Sequence, residues 1–515
     1  MTALAAGAVQ SVDWIAIAPP VIVAVTGLAV LIADLFVTPA RKPLLGVISA
    51  AGLVLAGLAL LPLLRGDRAT FCVAGAPTQC SYVADHFTVV VQLLVIGGAL
   101  LTVLLSMRDT RGLPAGEFWF LLLASASGAA LLPASRDLAT LIVALEVVSL
   151  PAFALVGLRR GDRLAGEAAL KFFLSSVTAT AVSLLGVSFV YAATGTLHLA
   201  AVATALAHGT GQLTVLARTG AMLTLVGFAF KLAVAPFHFW VPDTYAGAPV
   251  PVAAYLSVVS KTAGFAGLIL LTVVAFRPYA HLWAPALAVL AALTMTTGNV
   301  AALRQRPGHP RSAVRLLAWS SIAQAGYLLV PIAAAGYRAD PARDVGTTLS
   351  YALMYAVVNL GAFAVVVLVT GGGRSARLAD HRALFATRPL AALALAFFLL
   401  CLAGLPPGII GLFAKVAVFT SAVQAGLGWL AAVMAVNVVI ALYYYLRWTG
   451  LLFARPESAP MITPTDDSGA GTLTAPSVAR IPFPLATAIG LAALTGVALS
   501  GAPQLILRFA TSTLF

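Results

Sequence analysis

The chain has 515 residues, of which 61% are hydrophobic and 9% charged, and its formal net charge is +13. Soluble proteins carry about 25% charged residues, so this composition, with a mean hydropathy of +1.01, predicts an integral membrane protein. The positive charges flank apolar segments. They are therefore typical of membrane topology and do not indicate nucleic acid as a partner.

The apolar segments are each about 20 residues long, enough to cross the lipid bilayer as a helix. Each segment is apolar at nearly every position and does not alternate between polar and apolar side chains, which excludes the strands of a membrane β-barrel. In chain order the predicted spans lie near residues 15–36, 44–64, 86–107, 116–133, 138–158, 168–193, 214–238, 249–275, 283–303, 313–335, 347–371, 389–421, 426–450 and 482–510. The sequence predicts an all-α, multi-pass protein of about 14 transmembrane helices.

Arginine-rich loops follow the odd-numbered spans, which by the positive-inside rule places those loops in the cytoplasm and both termini outside. Residues 65–85 are interpreted as an outer polar loop, where disulfides persist. We therefore predict that Cys72 and Cys80 pair. A polar stretch over 453–480, rich in Pro, Thr, Ser and Gly, is interpreted as a flexible cytoplasmic loop.

Two of the predicted spans are interrupted by proline. Span seven contains Ala235-Pro236, and span twelve contains Pro406-Pro407-Gly408. The two spans cross in opposite directions, and paired broken helices of this kind indicate inverted repeats with a site at the breaks. The predicted units are residues 1–110 (spans one to three), 111–278 (first repeat, spans four to eight), 279–452 (second repeat, spans nine to thirteen), the loop 453–480, and 481–515 (span fourteen).

Only five of the 30 basic residues are lysines, and most of those five lie inside apolar segments, unlike the arginines. Lys231, Lys261 and Lys415 lie within spans seven, eight and twelve, and Glu146 lies within span five. Each such charge costs roughly 2.5–3.5 kcal/mol to insert, so the four must be paired, hydrated or neutral. Glu146 and Lys231 are the expected ion pair. A lysine can lose its proton when buried, which makes these four residues candidates for proton translocation.

Two further residues are weaker candidates. Lys171, near the start of span six, has Glu167 one helical turn before it, and an ordinary surface ion pair explains it equally well. His238 is either a member of the proton path or a hydrogen-bonding group at a helix end. Three cysteines cannot supply a four-thiolate iron–sulfur cluster. No metal or cofactor site is predicted on this chain.

Five segments together resemble the antiporter-like proteins, which are the membrane-arm subunits of respiratory complex I and their relatives in cation/proton antiporter complexes. The segments are EAALKFF (167–173), APFHFWVPDTYAGAP (235–249), SKTAGF (260–265), WSSIAQAGY (319–327) and LAGLPPG (402–408). Within the family the chain is most similar to the N-type subunit of bacterial NADH:quinone oxidoreductase. It stops after span fourteen, and it has Lys415 where M-type subunits typically have Glu.

The resemblance implies a role for each residue. Glu146 and Lys231 match the paired residues of spans five and seven, Lys261 the central lysine of span eight, and Lys415 the lysine that hands protons to the outside. Lys171 matches a span-six lysine of N-type subunits. Gln324 is a departure, because N-type subunits often carry His there, and glutamine cannot carry a proton charge.

The implied function is proton translocation in the bacterial inner membrane, coupled to quinone reduction elsewhere in complex I. The chain would itself perform no redox chemistry. FMN, iron–sulfur clusters and quinone are expected in partner subunits, and the membrane partners would be the M-type and small K- and J-type subunits. Three alternatives remain: a subunit of a sodium/proton antiporter complex, which shares the fold, a free-standing solute transporter, and a structural membrane scaffold.

Overall fold

The computed structural model describes residues 12–73, 76–109, 112–371, 376–456, 481–502 and 504. Its α-helices are α1 Trp14–Asp34, α2 Pro43–Leu58, α3 His86–Asp109, α4 Ala115–Leu131, α5 Leu138–Val156, α6 Arg163–Thr194, α7 Leu199–His208, α8 Thr214–Lys231, α9 Trp240–Gly247, α10 Val250–Tyr255, α11 Lys261–Ile269, α12 Ala280–Leu303, α13 Ser312–Ala335, α14 Ala342–Thr370, α15 Leu384–Thr387, α16 Pro389–Ala403, α17 Ile409–Gln424, α18 Gly428–Phe453 and α19 Phe483–Gly501. Two strands, β1 Arg68–Val73 and β2 Ala76–Ala84, pair antiparallel.

In the described residues, 13 helical segments are long and apolar enough to cross a membrane. They correspond to every predicted span except the twelfth, which is divided into α16 and α17. The predicted fold class, an all-α membrane protein with spans seven and twelve discontinuous, is confirmed. The predicted boundaries of the repeats stay a prediction. The predicted loop 453–480 falls outside the described residues apart from its first four.

The first break lies between α8 and α9, and the second between α16 and α17. Each contains a cis peptide bond, Ala235–Pro236 in the first and Pro406–Pro407 in the second. Proline removes a backbone donor and excludes a continuing helix. Non-helical backbone at this depth is tolerated where protein surrounds it, and residues 232–235 of the first break are buried.

The segment predicted as a polar loop over 65–85 is instead largely a β-hairpin, so that part of the prediction is wrong. Short strands with alternating side chains are easily mistaken for a loop. Cys72 lies opposite Cys80 in the hairpin, and a disulfide joins them. Arg68 binds Asp13 at 2.8 Å, at the start of α1. Burial raises the pKa of Tyr82 to about 12, and its hydroxyl accepts a hydrogen bond from Gln92.

The loops lie on two opposite faces of the molecule, and contacts between loops identify each face. On the first, which we call the hairpin side, Ser135 bridges to Tyr82 and His198 bridges to Asp137. On the second, which we call the basic side, Arg311 lies 3.8 Å from Asp162. The loops after α5 and α12 thus meet on the basic side, and the loops after α4 and α6 meet on the hairpin side.

Three segments form the centre of the bundle. In 250–275 and 312–335 the most apolar window is 94% buried, and in 342–370 it is 89% buried, compared with 28% in α19. The segment 250–275 is α10 and α11 joined by π-helical turns at 256–260 and 270–275. Polar side chains on these central segments therefore face other helices, and a functional site can be built among them.

Candidate functional site

Lys231 is the last residue of α8, directly before the first break, and its side chain is 2% exposed. Its amine nitrogen Nζ donates to Ser149 Oγ on α5 at 2.8 Å. Glu146 on the same helix accepts a hydrogen bond from Thr180 Oγ1 on α6 at 2.6 Å. The first half of the site is thus formed by α5, α6 and α8.

The predicted ion pair between Glu146 and Lys231 is not formed; within the described chain each has a different hydrogen-bonding partner. Ser149 follows Glu146 by three residues, so both lie on one face of α5, with Cβ atoms about 5–6 Å apart. The lysine amine therefore binds the serine hydroxyl that lies one helical turn after Glu146 on α5. Sequence patterns could not show this, because the choice depends on helix rotation.

Lys261 begins α11, directly after the first π-helical turn, and is 2% exposed. Its Nζ donates to Ser321 Oγ at 2.7 Å and to the Ser321 backbone oxygen at 2.8 Å. Short π-helical turns are frequent at functional sites. Since Ser321 lies on α13, Lys261 joins two of the three central segments of the bundle.

Lys415 lies on α17 but reaches back to the end of α16. Its Nζ donates to the carbonyl oxygens of Leu402 at 2.8 Å and Ala403 at 2.7 Å. The last carbonyls of a helix lack intrahelical partners and carry partial negative charge. The ring centroid of Tyr327 lies 5.6 Å from the amine, within the range of a cation–π contact. The second break thus places the amine of Lys415 at a helix C-terminus.

Glycines bring the two half-helices α16 and α17 into contact. A Cβ added to Gly411 would lie 1.8 Å from the Cys401 backbone oxygen. Backbone cannot move aside as a flexible side chain can. The contact fixes α17, and with it Lys415, against the end of α16.

We expect Gly411→Ala to separate α16 from α17 and to destabilise the protein by more than the 1–3 kcal/mol typical of overpacking. The measurement is the amount of chain in purified membranes and its thermal stability. Gly490→Ala on α19 is the matched control, because open space surrounds that position. Equal stability of the two variants would contradict the tight contact.

A group that we call the amide–tyrosine cluster lies between Lys261 and Lys415; it consists of Gln324, Tyr351, Tyr445 and Ser320. Tyr351 donates to Gln324 Oε1 at 2.5 Å, and Gln324 Nε2 donates to the Tyr445 hydroxyl at 3.2 Å. Ser320 Oγ lies 2.5 Å from that same hydroxyl. The cluster joins α13, α14 and α18.

Gln324 also connects the cluster to Lys415. Its Nε2 lies 3.5 Å from the Leu402 carbonyl oxygen, which accepts from Lys415 as well. Ser321, the partner of Lys261, precedes Gln324 by three residues and so lies one turn away on α13. Polar groups therefore follow one another from Lys261 to Lys415, although no histidine stands at position 324.

Sequence reasoning missed Tyr351 and Tyr445. Tyr351 precedes Tyr355 by four residues, and Tyr445 ends a run of three tyrosines inside an apolar span. Tyrosine is common in cores and at membrane interfaces, so neither signal is specific. The structure shows both side chains buried.

The two weaker candidates lie apart from the three buried lysines. Lys171 is 49% exposed and forms ion pairs with Glu167 at 2.7 Å and Asp243 at 3.2 Å. His238 lies in the first break, with its ring centroid 5.7 Å from that of Trp319 on α13. Lys171 therefore belongs to a group of ion pairs on the surface. His238 adjoins α13, the helix that holds Ser321.

A cavity of about 240 Å³, lined in part by charged side chains, opens beside Lys171 on the basic side. Its charged lining residues come from α6, α9 and the region where α13 begins: Glu167, Lys171, Asp243, Arg311 and Arg315. Arg315 lies 3.3 Å from Asp243. Asp243 lies on α9, which directly follows the first break, so the cavity adjoins the helix after that break.

The chain is similar to known proteins over most of its length. Residues 135–441 match a family described as "NADH:quinone oxidoreductase/Mrp antiporter, TM". A Streptomyces griseus protein, NADH-quinone oxidoreductase subunit N 2, is 68% identical over 100% of this chain and 96% of its own length.

Solved structures are similar over nearly the whole length. A chain of respiratory complex I from Thermus thermophilus has 34% identity and a TM-score of 0.73, with 95% of this chain and 98% of that chain covered. A chain of the Mrp complex from Dietzia sp. DQ12-45-1b has a TM-score of 0.79, with 96% of each covered; its 23% identity shows the fold alone. The chain therefore belongs to the NADH-quinone oxidoreductase subunit N family, within the larger family of complex I and Mrp antiporter membrane subunits.

Proposed function

We propose that this chain is the proton-translocating subunit N of an NADH-quinone oxidoreductase and that Lys231, Lys261 and Lys415 carry the protons. Relatives of that name support the assignment to the complex. The redox cofactors, FMN, iron–sulfur clusters and quinone, belong to partner subunits in this proposal. The adjoining membrane partners are the M-type and the small K- and J-type subunits.

One observation carries the proposal. Three lysines are buried in series, and each amine donates its hydrogen bonds to neutral oxygen atoms: Ser149, Ser321, and the carbonyls of Leu402 and Ala403. Ionisable residues inside membranes are expensive and mark ion pathways and proton relays. A lysine held by a carboxylate would keep its proton, whereas these amines are placed to exchange theirs.

The direction of transport follows from topology. The positive-inside rule assigns the basic side to the cytoplasm and the hairpin side to the outside. Protons enter from the cytoplasm through the cavity beside Asp243, reach Lys231 or Lys261, cross through the amide–tyrosine cluster, and leave by way of Lys415. Lys171 and His238 lie beside the first part of this route.

Quinone reduction in the partner subunits is coupled to proton transfer in this chain through Glu146 and Lys231. In this structure Ser149 and Thr180 occupy the hydrogen bonds of the two groups. A change of charge in a neighbouring subunit that draws Lys231 to Glu146 stabilises the protonated amine, and opening the pair releases the proton toward Lys261. An opposite charge within about 4–6 Å is sufficient to shift proton affinity in this way.

We expect Lys231→Ala and Glu146→Ala to lower the protons moved per NADH oxidised in inside-out membrane vesicles, because each removes one half of the coupled pair. Lys42→Ala is the matched control. Lys42 pairs with Asp34 at 3.2 Å on the surface, away from the buried series. Unchanged pumping by a fully assembled Lys231→Ala complex would overturn the proposal.

Purifying the tagged chain together with its partners distinguishes between the two kinds of complex to which a chain of this fold can belong. Copurifying NADH-oxidising and quinone-reducing subunits support complex I. Copurifying small antiporter subunits, with sodium-dependent proton exchange and no NADH oxidation, would show the alternative function.

A further inference from the structure

Asp344 is a buried carboxylate that the proposed route has not used. It lies in the first turn of α14 and is 1% exposed. Its Oδ1 accepts a hydrogen bond from Ser421 Oγ at 2.5 Å, and its Oδ2 lies 3.2 Å from Arg338 Nε. Sequence analysis missed it because the predicted span eleven begins at 347, whereas α14 begins at Ala342.

The surroundings of Asp344 hold Arg338 in place. Arg338 Nη2 donates to Gln424 Oε1 at 2.9 Å, and Arg277 Nη2 donates to the backbone oxygen of Arg338 at 2.6 Å. Asp340 and Arg343 supply the remaining charges near the carboxylate. These contacts join the loop after α13 to α14 and to the end of α17, on the hairpin side.

A line of polar side chains leads along α14 to Asp344. It consists of Asn359, Tyr355, Tyr351, Thr348 and Asp344, all buried. Their spacings of four, four, three and four residues place them on one face of the helix, over about 22 Å at 1.5 Å per residue.

The line contacts both of the later lysine sites. Asn359 donates to Ser257 Oγ at 2.8 Å, and Ser257 lies one turn before Lys261. Tyr351 donates to Gln324, which shares the Leu402 carbonyl with Lys415. From Tyr351 the remaining distance to Asp344 is seven residues, about 10 Å along the helix.

We propose that Asp344 receives the proton that leaves Lys415 and releases it on the hairpin side. This rests on the proposed function of the chain. The N–H bond of the Lys415 ammonium breaks, leaving a neutral amine, and an O–H bond forms on the Asp344 carboxylate. The carboxylic acid then gives its proton to outside water, and the carboxylate pairs again with Arg338.

Arg338 and Ser421 have a defined part in this step. Both favour the ionised carboxylate, because a cation and a hydrogen-bond donor each stabilise negative charge. After each proton release they stabilise the ionised carboxylate, which can then accept the next proton. Removing one partner from a buried ion pair is costly, so both Arg338 and Ser421 are expected to matter for the ionised state.

The test compares Asp344→Asn with Asp340→Asn in inside-out vesicles that contain the assembled complex. Asparagine keeps the size of the side chain and one acceptor oxygen for Ser421, but it carries no charge and cannot take up the proton. We expect Asp344→Asn to lower the protons moved per NADH to the level of Lys415→Arg. Asp344→Glu should restore pumping, and the exposed Asp340→Asn should leave it unchanged. The Asp344→Asn/Lys415→Arg double variant should pump no less than either single variant.

The outcomes separate the two proposals. If Lys415→Arg pumps normally, the proposed function of the chain fails. If Lys415→Arg loses pumping but Asp344→Asn does not, the function stands and the role of Asp344 is refuted. Should Asp344→Asn prevent assembly, Asp344→Asn/Arg338→Gln removes both charges and leaves no unpaired ion. Normal pumping by that variant refutes the proposal equally.

Discussion

Lys415→Arg is expected to stop proton transfer through this chain while the complex still assembles. The guanidinium keeps the positive charge and has donors for the carbonyls of Leu402 and Ala403. The guanidinium stays protonated in a protein, so arginine cannot release a proton at this position. Proton transfer slows by about 10²-fold or more when a positioned acid–base group is lost, which in steady-state pumping through this chain is equivalent to a stop. Protons moved per NADH oxidised, in inside-out vesicles, is the measurement.

Two companion variants make this result interpretable. Lys415→Gln retains donors but has no charge, so it should lose pumping for the opposite reason. Lys42→Arg makes the same chemical change at a surface ion pair and should behave as the unmodified chain. Full pumping by Lys415→Arg would show that the amine is a structural anchor for the end of α16.

Lys261→Met is expected to abolish proton transfer through this chain, and so to lower the protons moved per NADH, without lowering the stability of the complex. Methionine leaves Ser321 without its donor, which costs about 1–3 kcal/mol for each unsatisfied group. It also removes a buried charge, whose desolvation penalty is several kcal/mol. The second effect is at least as large as the first, so the midpoint of thermal unfolding should stay the same or rise.

Lys261→Arg provides the comparison for this variant. It restores a cation and donors beside Ser321 but keeps its proton permanently, so the complex should assemble and move as few protons per NADH as with Lys261→Met. The measurements are thermal unfolding of the purified complex and proton pumping by the same preparation. A Lys261→Met complex that pumps normally would exclude Lys261 from the route.

The spans and both breaks could be predicted because they depend on local properties. A bilayer requires about 20 apolar residues, and proline interrupts a helix wherever it stands in the interior. The hairpin around Cys72 was harder, because its strands are short and lie in a polar region. The helix α7 was missed for a related reason, as ten residues are too few to span a bilayer.

The lysines could be found from the sequence, but their partners could not. Lys231 could reach Glu146 or Ser149, and only the rotation of α5 and α8 decides between them. The line of polar side chains along α14 could not be predicted from the sequence either. In a helix buried on all sides, apolar residues surround every position, so periodicity cannot show which face carries Tyr351 and Asp344.

The hydrogen bonds of Lys261 and Lys415 have a consequence for the cost of losing a proton. A protonated amine has three N–H donors and a neutral one has two. Within the described residues each of these lysines uses two donors, both directed at oxygen atoms of a neighbouring helix. The proton that is lost can therefore be the third one, which forms neither of these two hydrogen bonds. Either amine can change its charge while every helix stays where it is.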